Sequence, residues 1–200
     1  MSGILDLINN GVGKQIIENI SNKVGTSEGE TTNVLNSALP LLVNAMQNNL
    51  STETDATGLL GALLNDKQNS NSLENPKSLV NDGIETQDGS KILKHILGNN
   101  QSLLEKNISL STGIATDKIN SILQMAAPLL MSFLAGKAKS ANIQNGTDLV
   151  GLLENILGKN SSITSMLDQD GDGKLSINDA MAVANKKGGI SGLLGKLFGK

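Results

Sequence analysis

The 200-residue chain contains no cysteine, tryptophan, tyrosine or arginine, a single histidine (His95) and two phenylalanines (Phe133 and Phe198). Each absence removes a class of function. Without cysteine there is no thiol nucleophile, zinc finger or disulfide framework. The lack of arginine, with a net charge of −3 and a pI near 5.2, argues against nucleic-acid binding, which relies on guanidinium forks and a basic field. Too few aromatics remain to stack unpaired bases. The first twenty residues carry Asp6 inside a short apolar stretch and no basic leader, so they do not read as a signal peptide. No uninterrupted apolar run reaches 18 residues, so no bilayer span is expected. These features together predict a cytoplasmic protein.

Leucine dominates what is present, 31 residues against seven valines, which favours helix over strand. The strongest organisational feature is an internal repeat. Residues Ile4–Met46 align without a gap to Ile92–Leu134, an offset of 88, with 12 identities in 43 positions. These include Ile4/Ile92, Asn19/Asn107, Gly25/Gly113, Ala38/Ala126 and Pro40/Pro128. After a two-residue slip, Thr57–Leu63 matches Thr147–Leu153. Apolar periodicity predicts four helices per copy. In the first copy these cover about Gly3–Ile8, Lys14–Lys23, a long helix from a capping box at Ser27 and Glu30, and Thr57–Leu64. The second gives Lys91–Leu97, Ser102–Ser111, Asp117–Ala135 and Asp148–Leu157. Each long helix carries a proline midway, where a helix loses one hydrogen bond. The expected fold is therefore all-α, a multi-helix bundle of two repeated units. Its organisation reads as repeat unit 1 (1–64), a polar linker (65–88), repeat unit 2 (89–158), a calcium module (159–187) and a basic amphipathic tail (188–200).

The sharpest chemistry lies in DQDGDGKLSIND, Asp168–Asp179. An EF-hand-like loop needs oxygen ligands at positions 1, 3 and 5, a turning Gly at 6, a backbone carbonyl at 7 and a carboxylate at 12. Asp168, Asp170, Asp172, Gly173, Lys174 and Asp179 fall on those positions, and Ser176 at position 9 can hold a bridging water. Three alternating carboxylates repel one another unless a cation lies between them. The spacing resembles EF-hand and dockerin loops, with Ca²⁺ as the expected ion and Mg²⁺ as the alternative. Asp179 departs from the usual Glu, which shortens the reach of the last ligand. The loop stands alone, so a structural clip is expected rather than a sensor.

Residues Ile190–Lys200 place apolar groups at i, i+3, i+4, i+7 and i+8. Residues 186–200 carry four lysines and no acid, so this segment is +4 and the remainder −7. Such a tail packs on its own core, docks a protein partner or lies on an anionic membrane surface. His95, opposite Leu7 in the repeat alignment, has no neighbouring pattern of catalytic groups and reads as a packing or surface residue. No titratable pair matches a general acid/base or nucleophile arrangement, so no enzyme is expected. The oligomeric state is not encoded in any of these features.

Four segments carry a family resemblance: ALPLLVNAMQNN (38–49), LLGALL (59–64), DGSKILKHILG (88–98) and MAAPLLM (125–131). They resemble the bacterial domain of unknown function 937 family, related to YidB-like proteins, over about residues 1–160. The resemblance implies a helical bundle, and many members also end in an Asp-rich tail. It implies no activity, substrate or catalytic residue. The expected function is thus a non-enzymatic helical protein acting through protein contacts, with one calcium loop; the alternative is a peripheral membrane protein using Ile190–Lys200.

Overall fold

The computed structural model describes residues 4–9, 11–50, 52–64 and 86–157. These residues fold into α-helices with no strand among them: α1 (Asp6–Asn9), α2 (Gly11–Val24), α3 (Glu28–Asn48), α4 (Glu53–Leu64), α5 (Thr86–Leu97), α6 (Gln101–Thr112), α7 (Thr116–Ser140) and α8 (Gly146–Leu157). A 3₁₀ turn, Gly98–Asn100, joins α5 to α6. The all-α expectation holds. The calcium loop Asp168–Asp179 and the tail Ile190–Lys200 lie outside the described residues, as does most of the linker, 65–85.

Several helices are longer than their apolar periodicity predicts. α5 begins at Thr86 instead of Lys91, so the last three residues of the stretch read as linker are helical. α7 continues to Ser140, beyond the expected Ala135; Ala138 is fully buried, and Lys137 and Lys139 sit where a helix C-terminus favours cations. α4 starts at Glu53 because Thr52 and Asp55 bond reciprocally, the hydroxyl accepting from the Asp55 amide at 3.2 Å and the carboxylate from the Thr52 amide at 3.1 Å.

That cap also fixes the register of the fourth helix pair. In α8, Asn145 Oδ1 accepts from the Asp148 amide at 2.9 Å. Matching Thr52 to Asn145 and Asp55 to Asp148 aligns the buried Ala56, Leu60 and Leu63 with the buried Leu149, Leu153 and Ile156. The structural offset is therefore 93, a slip of five residues where the sequence match suggested two. A short run of similar leucines is compatible with both registers, and caps together with burial separate them.

The first three helix pairs keep the offset of 88. Gly25 and Gly113, both at positive φ (70° and 76°), terminate α2 and α6, and their amides donate to Ser21 and Ser109 at 2.8 Å. Glycine adopts this left-handed conformation without a Cβ penalty. α3 and α7 run through Pro40 and Pro128, and both are buried along most of their length.

The two copies interlock. α3 packs on α7 and α4 on α8; α3 also packs on α6 and α8, and α7 on α2 and α4. One apolar core spans both copies, from Ile4 through Leu42 and Leu123 to Ile156. α7 has the length and apolar content of a membrane span, which a count of uninterrupted apolar residues passes over; 67% of its most apolar window is buried in the bundle.

The helix starts differ between the copies. α3 has the expected capping box, with the Ser27 amide donating to Glu30 Oε2 (2.7 Å) and the Glu30 amide to Ser27 Oγ (3.1 Å). α7 has Ala115 at its N-cap, which makes no side-chain cap. Lys118, the counterpart of Glu30, instead donates Nζ to the Gly25 carbonyl at the end of α2 (2.8 Å).

Candidate functional site

A groove of about 1310 Å³ opens between α3, α4 and α5. Its walls follow helical spacing: Leu41, Asn44, Ala45 and Asn48 on α3, and Asp55, Gly58, Leu59 and Ala62 on α4. Ile92, His95 and Ile96 form the α5 side, with Leu103, Leu104 and Met131 adding apolar surface and Asn99 and Asn100 polar groups. The lining is thus leucine, isoleucine and methionine with an amide-rich complement. It exceeds the ~300–1,000 Å³ of ordinary small-molecule clefts.

Two local features set its shape. Asn49, just past the end of α3, donates Nδ2 to the Ile96 carbonyl at 2.8 Å and so ties α3 to the end of α5. On its other side α5 is held by backbone contact with α7. Pro128 has no amide, so the Gln124 carbonyl lacks its usual helical donor. Gly89 of α5 packs onto that carbonyl so closely that a Cβ there would collide with it. A glycine facing a carbonyl freed by proline lets the two backbones meet, and this fixes where α5 stands relative to α4.

The equivalent place in the other copy is filled. By the repeat offset, His95 corresponds to Leu7, Ile92 to Ile4, Ile96 to Ile8 and Ala45 to Phe133. Ile4, Leu7 and Ile8 are only 4%, 5% and 3% exposed. The Ile4 amide donates to the Ile156 carbonyl at 3.4 Å, which joins the start of the chain to α8. Phe133 packs against the core, with Lys137 Nζ 5.3 Å from its ring centroid. Where the second copy has a phenylalanine and the first a leucine, the groove has an alanine and an exposed histidine.

A second polar feature is confined to the second copy. Glu105 is only 9% exposed, and its Oε1 accepts from Gln101 Nε2 at 2.9 Å and Asn120 Nδ2 at 2.6 Å. Gln124 Nε2 donates in turn to Asn120 Oδ1 at 2.6 Å. Ile17 takes the place of Glu105 in the first copy, so this is a local polar network within an otherwise apolar layer.

Among the candidate residues read from sequence, His95 is placed on the groove rim, exposed. Asp168, Asp170, Asp172, Lys174, Ser176 and Asp179 lie outside the described residues. Among the described residues no three acidic or histidine side chains cluster in a way that could hold a metal. The sequence did not place a groove between α3, α4 and α5. Its signal was present in the repeat alignment, as the exchanges Phe133 to Ala45 and Leu7 to His95, but a volume difference between copies acquires meaning only when the helices around it are placed.

Comparison with known proteins adds one finding. A family model described as a bacterial protein of unknown function (DUF937) matches residues 6–137, a span that contains every groove residue. Neither a curated protein nor a solved structure matches the chain.

Proposed function

Because the chain belongs to the bacterial DUF937 family of unknown function, we propose a role from its own geometry: a non-catalytic binding protein that receives an apolar peptide face, in the form of an amphipathic helix, in the α3–α4–α5 groove. The groove carries this reading. Helix-in-groove recognition needs an elongated apolar trough between helices with polar groups at its edge, and the lining combines Leu41, Leu59, Ile92 and Ile96 with Asn44, Asn48 and Asn100.

Gly58 supplies the control. It is exposed, lines the groove, and a Cβ there meets open space. Gly58→Arg therefore intrudes on the groove while raising helix propensity. Peptides selected against the full chain from a random library should share apolar residues spaced by three and four, and should bind Gly58→Arg at least tenfold more weakly. Enriched peptides indifferent to Gly58→Arg, or no enrichment, would refute the reading.

A second reading concerns calcium and is supported by the ligand spacing of Asp168, Asp170, Asp172, Lys174, Ser176 and Asp179. In it the loop binds one Ca²⁺ as a structural clip. Stabilisation follows RT ln(1 + [L]/Kd), about 2.7 kcal/mol at a hundredfold excess over Kd. Asp168→Ala should abolish the calcium-dependent rise in melting temperature, and Asp179→Glu should keep or tighten binding. Titration calorimetry showing no heat with Ca²⁺ or Mg²⁺ would reduce the loop to a turn.

A further inference from the structure

Resting on that reading of the groove, we propose that the groove sorts its partner by charge: the docked amphipathic helix carries basic side chains along the flank against α4 and acidic ones along the flank against α5, and so lies in one direction only.

Among the described residues, the lining holds Asp55 on the α4 wall and Lys91 and His95 on the α5 wall, with no other titratable side chain. The floor between them is uncharged, formed by Leu41, Asn44, Ala45 and Asn48 of α3. Asn49 ties the end of α3 to the Ile96 carbonyl, so the start of α4 and the end of α5 lie at the same end of the groove. Asp55 is the third residue of α4, and Lys91 comes five residues before Ile96. At about 1.5 Å per residue, both sit within about two turns of that end, on opposite walls.

The sidedness continues beyond the lining. α4 carries Glu53 and Asp55 and no base, and α8, packed against α4, adds Asp148 and Glu154, again with no base. α5 carries Lys91 and Lys94 against Asp88. One wall is therefore wholly acidic and the other net basic. Lys91 Nζ reaches Asp88 Oδ1 at 3.4 Å, but the two side chains are 76% and 63% exposed, and such a pair holds the lysine loosely. Asp55 accepts the Thr52 amide and hydroxyl through Oδ2 and keeps its charge.

A helix docked along the floor has two flanks, and turning it end for end exchanges them. In one direction both flanks meet opposite charge; in the other both meet like charge. Flanking charges set partner and orientation in coiled coils by the same means. Exposed pairs add little affinity singly, so the apolar stripe holds the helix while the walls choose its direction.

The test reads direction, which leaves differences in stability out of the comparison. The probe is a designed peptide of about 18 residues, ~27 Å as a helix. Its leucine stripe fits either way round, with lysines along one flank and glutamates along the other, and a cysteine stands at its N-terminus or its C-terminus. The chain has no cysteine of its own, so Ala62→Cys, at the far end of the α4 wall, supplies its single thiol. On mild oxidation one terminus of the probe should cross-link about fivefold more than the other. Exchanging the probe's lysines and glutamates should reverse that preference. Lys91→Glu makes both walls acidic and should equalise the two termini, as should ~1 M salt, where the screening length falls to about 3 Å.

Equal yields from both termini in Ala62→Cys, lost when Gly58→Arg is added, would leave the groove standing and overturn its charge sorting. A preference that survives Lys91→Glu would overturn it as well. Yields that Gly58→Arg does not lower, or no cross-link at all, would refute the groove reading and this inference with it.

Discussion

Two corners of the molecule descend from the same stretch of repeat and end differently. Where the chain's start meets α8, Ile4, Leu7 and Ile8 are buried and Phe133 packs nearby. Where α5 faces α4, Lys91 and His95 are exposed and Ala45 leaves room for the groove. The helical scaffold around each corner is closely comparable. The difference comes from a few side chains and from α5, a 12-residue helix where α1 has four residues. A duplicated unit can thus keep one copy as core and free the other to present a surface.

The contact that holds α5 on α7 is the most sensitive point of this comparison. Gly89→Ala would drive a Cβ into the Gln124 backbone carbonyl, where no flexible side chain can yield. Overpacking of this severity costs about 3 kcal/mol, and thermal unfolding should fall by roughly 6–12 °C for a chain of this size. A melting temperature within about 1 °C of wild type would show that α5 moves freely and does not define the groove.

Ala45→Phe with His95→Leu gives the open corner the side chains of the closed one. Filling the groove should add about 1 kcal/mol of stability through apolar burial and reduce binding of the amphipathic dye 8-anilinonaphthalene-1-sulfonate several-fold. Unchanged dye binding would mean that α5's position, not these side chains, holds the corner open.

The helix starts differ by smaller amounts. Ser27→Ala removes the α3 cap and should cost about 1 kcal/mol. Ala115→Ser offers α7 the cap it lacks and should gain somewhat less, with Lys118 still bonded to Gly25. Chemical denaturation of the two variants should move the midpoint in opposite directions; the same direction would refute the capping account.

The smallest effect is pH-dependent. The Ser27 backbone N–H, then its hydroxyl, then Lys118 hold the Glu30 carboxyl below its ordinary value of 4.5. Its folded-state pKa is lower than its unfolded one, so its contribution is present above the unfolded value and is lost as pH falls through the folded one. Wild type should therefore exceed Glu30→Gln in stability at pH 6, and the gap should narrow steadily below pH 4.5. A gap that stays constant down to pH 3 would remove the carboxylate from the cap.

Much of the fold was legible because its signals are local or periodic. The box at Ser27 and Glu30, the glycine stops at Gly25 and Gly113 and the apolar stripes of α3 and α7 each follow from spacing within one helix. Helix ends were less legible, since Ala138 and Thr86 belong to helices for tertiary reasons: one is buried by neighbours, the other is carried on an α5 anchored at Gly89. The groove was illegible because it consists of volume not filled. The loop at Asp168–Asp179 is the reverse case, a motif complete in sequence that falls outside the described residues.

The interlocking of the two copies bears on how the chain reaches this state. Pairings such as α3 with α7 and α4 with α8 join residues close to ninety positions apart, so the core forms only after long loops have closed. α2 and α3 share contacts of their own, but the buried faces of α3, α4 and α7 are completed across the duplication. Half the chain by itself should expose those faces and behave as an aggregation-prone fragment, whereas separately expressed halves should reassociate into a single cooperative unit. Duplication in this arrangement makes each copy the folding template of the other.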